Sequence, residues 1–399
     1  MNRFIAIILF SFLLFSQISS LHLLTLYTTS IIVLGVYTPL NGKIKIDKNV
    51  LIFAIVSLIC ILAKDIPTFF KPYQRYSYWI LLLIGCSSLV YNKRLVYYRR
   101  CLLLNICSIS VIITLLSFIS YIIGFGYQAG NVGFWGVALH GNILGAMAMI
   151  SLIYSVYHFI NDMSQKKYIF LLFCGISIII LLLASSRNAL ACSIVGFLCF
   201  LKLHFRKKSS VFITTIFTIF VLLIIIYPYL GKYASGLETK MSYGYENNSI
   251  TASRTTLWNT RIEEFRRNPI LGVGTFAVDT TIKNSDKFFN PYNQKTGVVE
   301  LGSTYLGILS QNGLLGFISF ISIILISIKR GYQKTTHSYD KYDILFFSIL
   351  ISFILHMNFE GYSNTAGQIL TLILWLVIGC NSYKPINCKY KSIKGIIYY

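Results

Sequence analysis

The chain has 399 residues, 55% hydrophobic and only 12% charged, where a soluble domain carries about 25% charged. That balance excludes a soluble globular enzyme, a disordered chain, and a mainly external protein held by one anchor. The excess of 35 Lys and Arg over 13 Asp and Glu, a net charge of +22, would suggest nucleic acid in a soluble protein. In an apolar chain it reads first as basic residues gathered in cytoplasmic loops, and no nucleic-acid partner is expected.

Apolar runs such as Phe212–Ile226 are continuous, unlike the short alternating segments of an outer-membrane barrel. Taken in chain order, they mark spans near 4–20, 22–40, 49–63, 76–91, 102–123, 133–159, 168–184, 188–204, 211–230, 303–328, 343–357 and 362–382. The first follows Arg3 like a signal peptide but lacks a small-x-small cleavage site, so it is read as a retained helix. The expected fold class is all-α: a polytopic integral membrane protein of about 12 transmembrane helices, with one long external loop between spans nine and ten. Its parts are a membrane bundle over 1–230, an external loop with an amphipathic helix over 231–302, and a closing bundle with a cytoplasmic tail over 303–399.

Charge sets the orientation. With the N-terminus inside, the inner loops hold Lys43, Lys45, Lys48, Lys93, Arg94, Arg99, Arg100, Lys166, Lys167, Lys202, Arg206, Lys207, Lys208, Lys329, Arg330, Lys334 and Lys341. The short outer loops hold only Lys64, Lys71, Arg75 and Arg187, which places both termini in the cytoplasm. The segment 231–302 then lies outside and is too long for an idle connection. Within it, Ser253 predicts an N-cap, and Leu257, Trp258, Ile262 and Phe265 recur at helical spacing. Asn268-Pro269 stops the helix, and Gly272-Val273-Gly274 supplies a turn.

Four features carry chemistry. Ser185-Ser186-Arg187-Asn188 interrupts an apolar stretch from Tyr168 to Leu203. An arginine at mid-bilayer costs about 2.5–3.5 kcal/mol, so a tight hairpin is expected, with Arg187 at the outer surface or in a polar cavity. There it either snorkels to lipid phosphates or clamps a phosphate with its planar fork. Arg254 and Arg261 lie seven residues apart on the loop helix and share a face, as a head-group clamp or as a solvated face paired with Glu263 and Glu264. His140, with Asn142 beside it, falls in an apolar span, as a base, a substrate contact or a helix–helix hydrogen bond. Glu300, Ser303, Thr304 and Tyr305 mark the loop's return to the membrane, and His356 and Glu360 mark the outer end of span eleven.

Nine cysteines show no CxxC pair, so neither a disulfide framework nor a structural zinc site is expected. No P-loop, Rossmann fingerprint or Ser/His/Asp order is present. The absence of Asp-x-Asp argues against a metal-dependent nucleotide-sugar glycosyltransferase.

Together these residues resemble the bacterial O-antigen ligase/polymerase family, most strongly from about 130 to 330. The resemblance rests on Phe134–Gly145, Ser186-Arg187-Asn188-Ala189-Leu190, Ser253-Arg254 with Leu257-Trp258, Arg267–Gly274, Ser303–Leu306 and Gly313–Gly316. Ligases of that family look like "H-N-S-Y-L" at the loop's end, with a histidine eleven residues before the glycine that matches Gly313. Here Gly302 stands at that position, with Glu300 just upstream, which favours the polymerase branch.

The resemblance implies a metal-independent glycosyltransferase of the bacterial cytoplasmic (inner) membrane, needing no cofactor, with its site on the external side. The growing glycan would pass from undecaprenyl pyrophosphate to a lipid-linked oligosaccharide repeat unit. Its partners are that lipid-linked oligosaccharide and membrane lipids, with a polysaccharide chain-length regulator a further candidate. Arg187, Arg254 and Arg261, with Asn142 and Tyr305, are expected to bind substrate, since fixed cations should stabilise the pyrophosphate leaving group. His140, Glu300 and Glu360 are candidates for the acceptor's base, and the sequence does not choose among them. Ligation or protein O-oligosaccharyl transfer with the same donor is the nearest alternative. A lipid-linked glycan transporter is the non-enzymatic one.

Overall fold

In the computed structural model, the described residues are 44–127, 133–165, 167–218, 252–282, 292–337, 340–364 and 367–383, with 233, 236, 239 and 242 between them. The two expected spans within 1–43, most of span nine, much of the external loop and the C-terminal tail lie outside this set.

The described chain is almost entirely helical. Its helices are α1 (Lys48–Leu62), α2 (Pro72–Cys86), α3 (Lys93–Ile123), α4 (Gly141–Asn161), α5 (Lys167–Leu183) and α6 (Arg187–His204). After α7 (Ser209–Thr218) come α8 (Ala252–Arg267), α9 (Thr304–His337), α10 (Tyr342–His356) and α11 (Ile369–Asn381). Two-residue strands β1 (Lys45–Ile46) and β2 (Val90–Tyr91) pair antiparallel. Among the described residues, four helices are long and apolar enough to cross a bilayer: Leu95–Ile123, Gly141–Asn161, Arg187–His204 and Thr304–Thr336. With the shorter apolar helices α1, α5, α7, α10 and α11, they make this a helical membrane protein.

The core is centred on α11, every residue of which is buried, as befits a helix apolar on all sides. Phe53, Trp79, Phe320 and Trp375 meet around it with ring centroids 5.5–6.2 Å apart. Small residues close the remaining interfaces. A Cβ at Gly196 would lie 1.9 Å from Ser352 Oγ, so α6 and α10 touch nearly backbone to backbone. Apolar side chains such as Ile112, Leu116, Ile194, Ile318 and Leu325 stay exposed, as a lipid-facing surface requires.

Polar contacts sort the loops into two ends. At one, Arg100 pairs with Asp340 and Asp343, Arg206 donates to Thr335 O, Arg330 reaches Asp47, and β1 meets β2. At the other, Lys64 donates to Asn268 Oδ1, Arg75 to Thr296 O, Asn142 to Glu360 and Asn188 to His356 O. The two ends gather the loops that charge places on opposite sides of the bilayer. Lys64 and Arg75, two of the basic residues that follow α1, hold the long segment before α9.

That segment is locked into a break in α9. Gly313 has φ 62° and ψ −163°, which interrupts the helix. Val273 N–H donates to Ser310 O at 2.9 Å, and Gly274 N–H to Gln311 O at 3.1 Å. Leu314 N–H in turn donates to Pro269 O at 2.8 Å. Polar groups freed by the break are thus satisfied by the loop, which a low-dielectric surrounding demands. Both glycines are required: a Cβ at Gly272 would lie 2.4 Å from Ser310 O, and one at Gly313 2.2 Å from Ile270 O. Below the break, Asn312 Nδ2 donates to Ser57 Oγ and Thr275 Oγ1 at 3.0 and 2.7 Å.

Two expected elements are corrected. Span six does not begin near 133. Residues 133–140 form turns containing the buried Phe134, and α4 starts at Gly141. Nor does the loop helix α8 bury the face expected of it. Its buried positions are Leu257, Thr260, Arg261 and Glu264, while Ile262 and Phe265 are only partly covered. The polar pair can be buried because Arg261 and Glu264 neutralise each other at 2.8 Å.

Candidate functional site

Three helix ends and helix α8 converge at the second of the bundle's two ends. The α5–α6 hairpin is as tight as expected. Ser185 takes φ 52°, and Ser186 caps α6, its hydroxyl accepting from Ala189 N–H at 3.5 Å. This sets Arg187 in the first turn of α6, half-buried, with Nη1 buried and making no hydrogen bond among the described residues. Its neighbour Asn188 donates to His356 O at 2.9 Å, joining the start of α6 to the end of α10. Gly145 lets α4 approach the same turn, for a Cβ there would lie 2.9 Å from Ala189 Cβ.

Glu360, just past α10, is where the elements meet. Its Oε1 accepts from Asn142 Nδ2 at 2.7 Å and from Arg254 Nη2 at 2.5 Å. Arg254 also reaches Glu300 through Nη1 at 3.6 Å. One guanidinium thus bridges two carboxylates from distant parts of the chain. Glu360 is largely covered, its side chain 15% exposed, whereas Glu300 is 55% exposed. Burial pushes the Glu360 carboxyl up to about 7. Arg254 opposes the rise and Glu300 adds to it. A carboxyl poised there can exchange a proton near neutral pH, as general base catalysis requires.

The loop carrying Glu360 is fixed from behind. Thr304 Oγ1 donates to Glu360 O at 2.6 Å and accepts from Tyr362 N–H at 3.2 Å. Thr304 N–H donates to Met357 O at 2.9 Å. His356 is fully buried with Nδ1 3.1 Å from the Tyr362 hydroxyl.

Of the residues singled out in the sequence, Asn142, Arg254, Glu300 and Glu360 come together, and Arg187 lies one residue from the Asn188–His356 contact. His140 does not sit within a membrane span. It is exposed at the N-cap of α4, its Nδ1 accepting from Asn142 N–H at 3.1 Å, so it braces the turn that presents Asn142. Tyr305 lends its hydroxyl to Ile354 O at 2.9 Å, a bond between α9 and α10. Arg261 is turned inward. Neither it nor Glu264 is exposed, and Glu264 also accepts from Ser310 Oγ and Asp279 N–H. That placement sets Arg261 against Glu264 inside the protein, apart from the contacts gathered at Glu360, and its Nε, Nη1 and Nη2 are buried with no hydrogen-bond partner among the described residues. The expected Ser253 cap is also corrected: α8 begins at Ala252, placing Ser253 inside the first turn.

Gly302 has a steric explanation. Its φ is 72°, and a Cβ there would lie 2.9 Å from Leu257 Cβ. The loop helix closes directly on the position where the resemblance places a ligase histidine, leaving a side chain no room. Sequence reasoning did not single out Thr304 as the brace behind Glu360. Its place at the helix start, in Ser303-Thr304-Tyr305, was the available signal.

These features define a helical membrane protein with a polar, charge-bridged site at one end of the bundle. Residues 170–321 match the family model described as O-Antigen ligase. The match supports the O-antigen ligase/polymerase family to which the motifs pointed. It takes in Arg187, Arg254, Glu300 and Tyr305, while Asn142 and Glu360 come from flanking segments. A comparison with curated proteins found no match.

Proposed function

We propose that the protein is a polysaccharide polymerase of the bacterial inner membrane, working on the external face. It transfers a growing glycan from undecaprenyl pyrophosphate to a lipid-linked oligosaccharide repeat unit. The observation that carries this reading is the Glu360 carboxylate, held by Asn142 and Arg254 at the mouth of the bundle and raised to about 7.

In this mechanism Glu360 accepts the proton of the acceptor hydroxyl as that oxygen attacks the anomeric carbon of the donor glycan. The C–O bond to the pyrophosphate breaks, and the leaving group departs with the electron pair. Arg187, whose Nη1 has no partner among the described residues, stabilises the departing charge, while Arg254 balances the Glu300 and Glu360 carboxylates. The Arg187 guanidinium supplies the positive charge, and activity is expected to persist in excess EDTA.

Ligation with the same donor is favoured by one observation, the O-Antigen ligase description of the matching family. Deleting the gene separates the two. Loss of a polymerase leaves single repeat units on the carrier or final acceptor. Loss of a ligase leaves long polymer on undecaprenyl pyrophosphate, which would overturn the polymerase reading.

A further inference from the structure

Two segments each bring an aromatic ring and a charged group to the same rim, and a third brings a charged group and a backbone carbonyl. Helix α8 supplies Arg254 and, one turn on, Trp258. The loop's return supplies Glu300 and, two residues on, Gly302. The segment after α10 supplies Phe359 and Glu360. Trp258 Nε1 donates to Gly302 O at 3.2 Å, which fixes the indole. Its ring lies 5.6 Å from the Phe359 ring at a tilt of 46°, and Phe359 is 38% exposed. Arg254 joins Glu300 to Glu360 beside this pair.

The chemistry of the rim selects its occupant. An acyl chain would match the two rings but would desolvate three charged side chains. A diphosphate would match Arg254 but would meet two carboxylates. A sugar ring satisfies both halves, with an apolar C–H face for the aromatics and hydroxyls that donate to the carboxylates. With one cation against two anions, a uronic acid is disfavoured.

We infer that Trp258, Phe359 and Glu300 form a subsite for the acceptor's terminal sugar, an uncharged or amino sugar stacked on the aromatic pair with a hydroxyl donated to Glu300. This rests on the polymerase reading and adds the residues that receive the acceptor. The subsite sets the ring beside Glu360.

The test is a binding measurement on the full-length protein in nanodiscs. The probe is the glycan released by mild acid from the source cells' lipid-linked pool. Trp79 and Trp375 are fully buried, so in a Trp135→Phe background the responsive indole is Trp258. Glycan should change its emission saturably. Phe359→Leu, which keeps an apolar contact but removes the ring, should weaken binding about 5- to 10-fold. Glu300→Gln should weaken it too, while both variants remain folded by chromatography. No saturable change, unaltered binding by Phe359→Leu, or a uronic acid at the acceptor end would overturn the subsite. So would quenching of Trp258 by brominated phospholipid that glycan does not relieve, because the indole would then face lipid. Saturable binding by a protein that transfers no glycan supports the subsite and overturns the polymerase reading instead.

Discussion

Replacing Arg261 with alanine should damage the fold before it touches any chemistry. Arg261 and Glu264 lie 2.8 Å apart with no exposure on either side. Burial pulls the Arg261 guanidinium below its usual range and pushes the Glu264 carboxyl above its own, each opposed by the other. Removing one partner of such a pair strands the other charge and costs about 3–5 kcal/mol. That is a fall of roughly 150- to 5,000-fold in the ratio of folded to unfolded protein. The loss should spread to the break in α9, since Glu264 also accepts from Ser310 and Asp279. Arg261→Met combined with Glu264→Gln removes both charges, keeps an oxygen to accept from Asp279 N–H and offers an amide N–H to the Ser310 hydroxyl, which can turn to accept it, so most of the loss should be recovered. Heating detergent-solubilised variants and measuring the surviving monodisperse fraction gives the order: wild type and the double variant together, Arg261→Ala well below. An Arg261→Ala protein as heat-resistant as wild type yet unable to bind lipid-linked donor would refute the reasoning and return Arg261 to the substrate.

Transfer should rise with pH through about 7, as Glu360 loses its proton. Glu300→Gln should move that limb to lower pH, because the Glu300 charge helps hold the proton on. A limb unmoved by Glu360→Gln would dismiss Glu360 as the base. Arg187→Ala should abolish polymer while the protein still accumulates in the membrane, and Arg187→Lys should rescue poorly for want of a two-pronged contact. Normal polymer from Arg187→Ala, scored on a gel, would mean that this arginine only snorkels. Lys295→Cys, at an exposed turn of the external segment, should react with an impermeant maleimide in intact spheroplasts. Lys93→Cys should react only after lysis, and the reverse pattern would invert the topology.

Legibility in the sequence followed energetic cost. The hairpin at Ser185–Arg187 could be read because an arginine has few inexpensive positions in an apolar stretch. The end of α8 could be read because Asn268-Pro269 stops a helix. His140 misled because hydropathy averages over a window and does not register that 133–140 form turns, with Gly136 at φ 57°. The buried face of α8 misled for a related reason: a scale that scores residues singly counts Arg261 and Glu264 as two exposed charges, not one neutral pair. The Glu360 cluster draws on positions 142, 254, 300 and 360, and only tertiary structure brings such distant positions together. Glu360 itself was visible as a rare acidic residue at a span's end, although its partners were not.

The insertion of residues 269–274 into the break at Gly313 bears on how such proteins can be recombined. The external segment and α9 complete each other's hydrogen bonds. A transplanted segment that did not seat there would leave the main-chain groups of Ser310, Gln311 and Leu314 without these partners. Substrate range is therefore not exchangeable by swapping the loop alone. A functional chimera must carry 268–275 and 310–315 from the same parent, so these two stretches, far apart in the chain, form a single unit of inheritance.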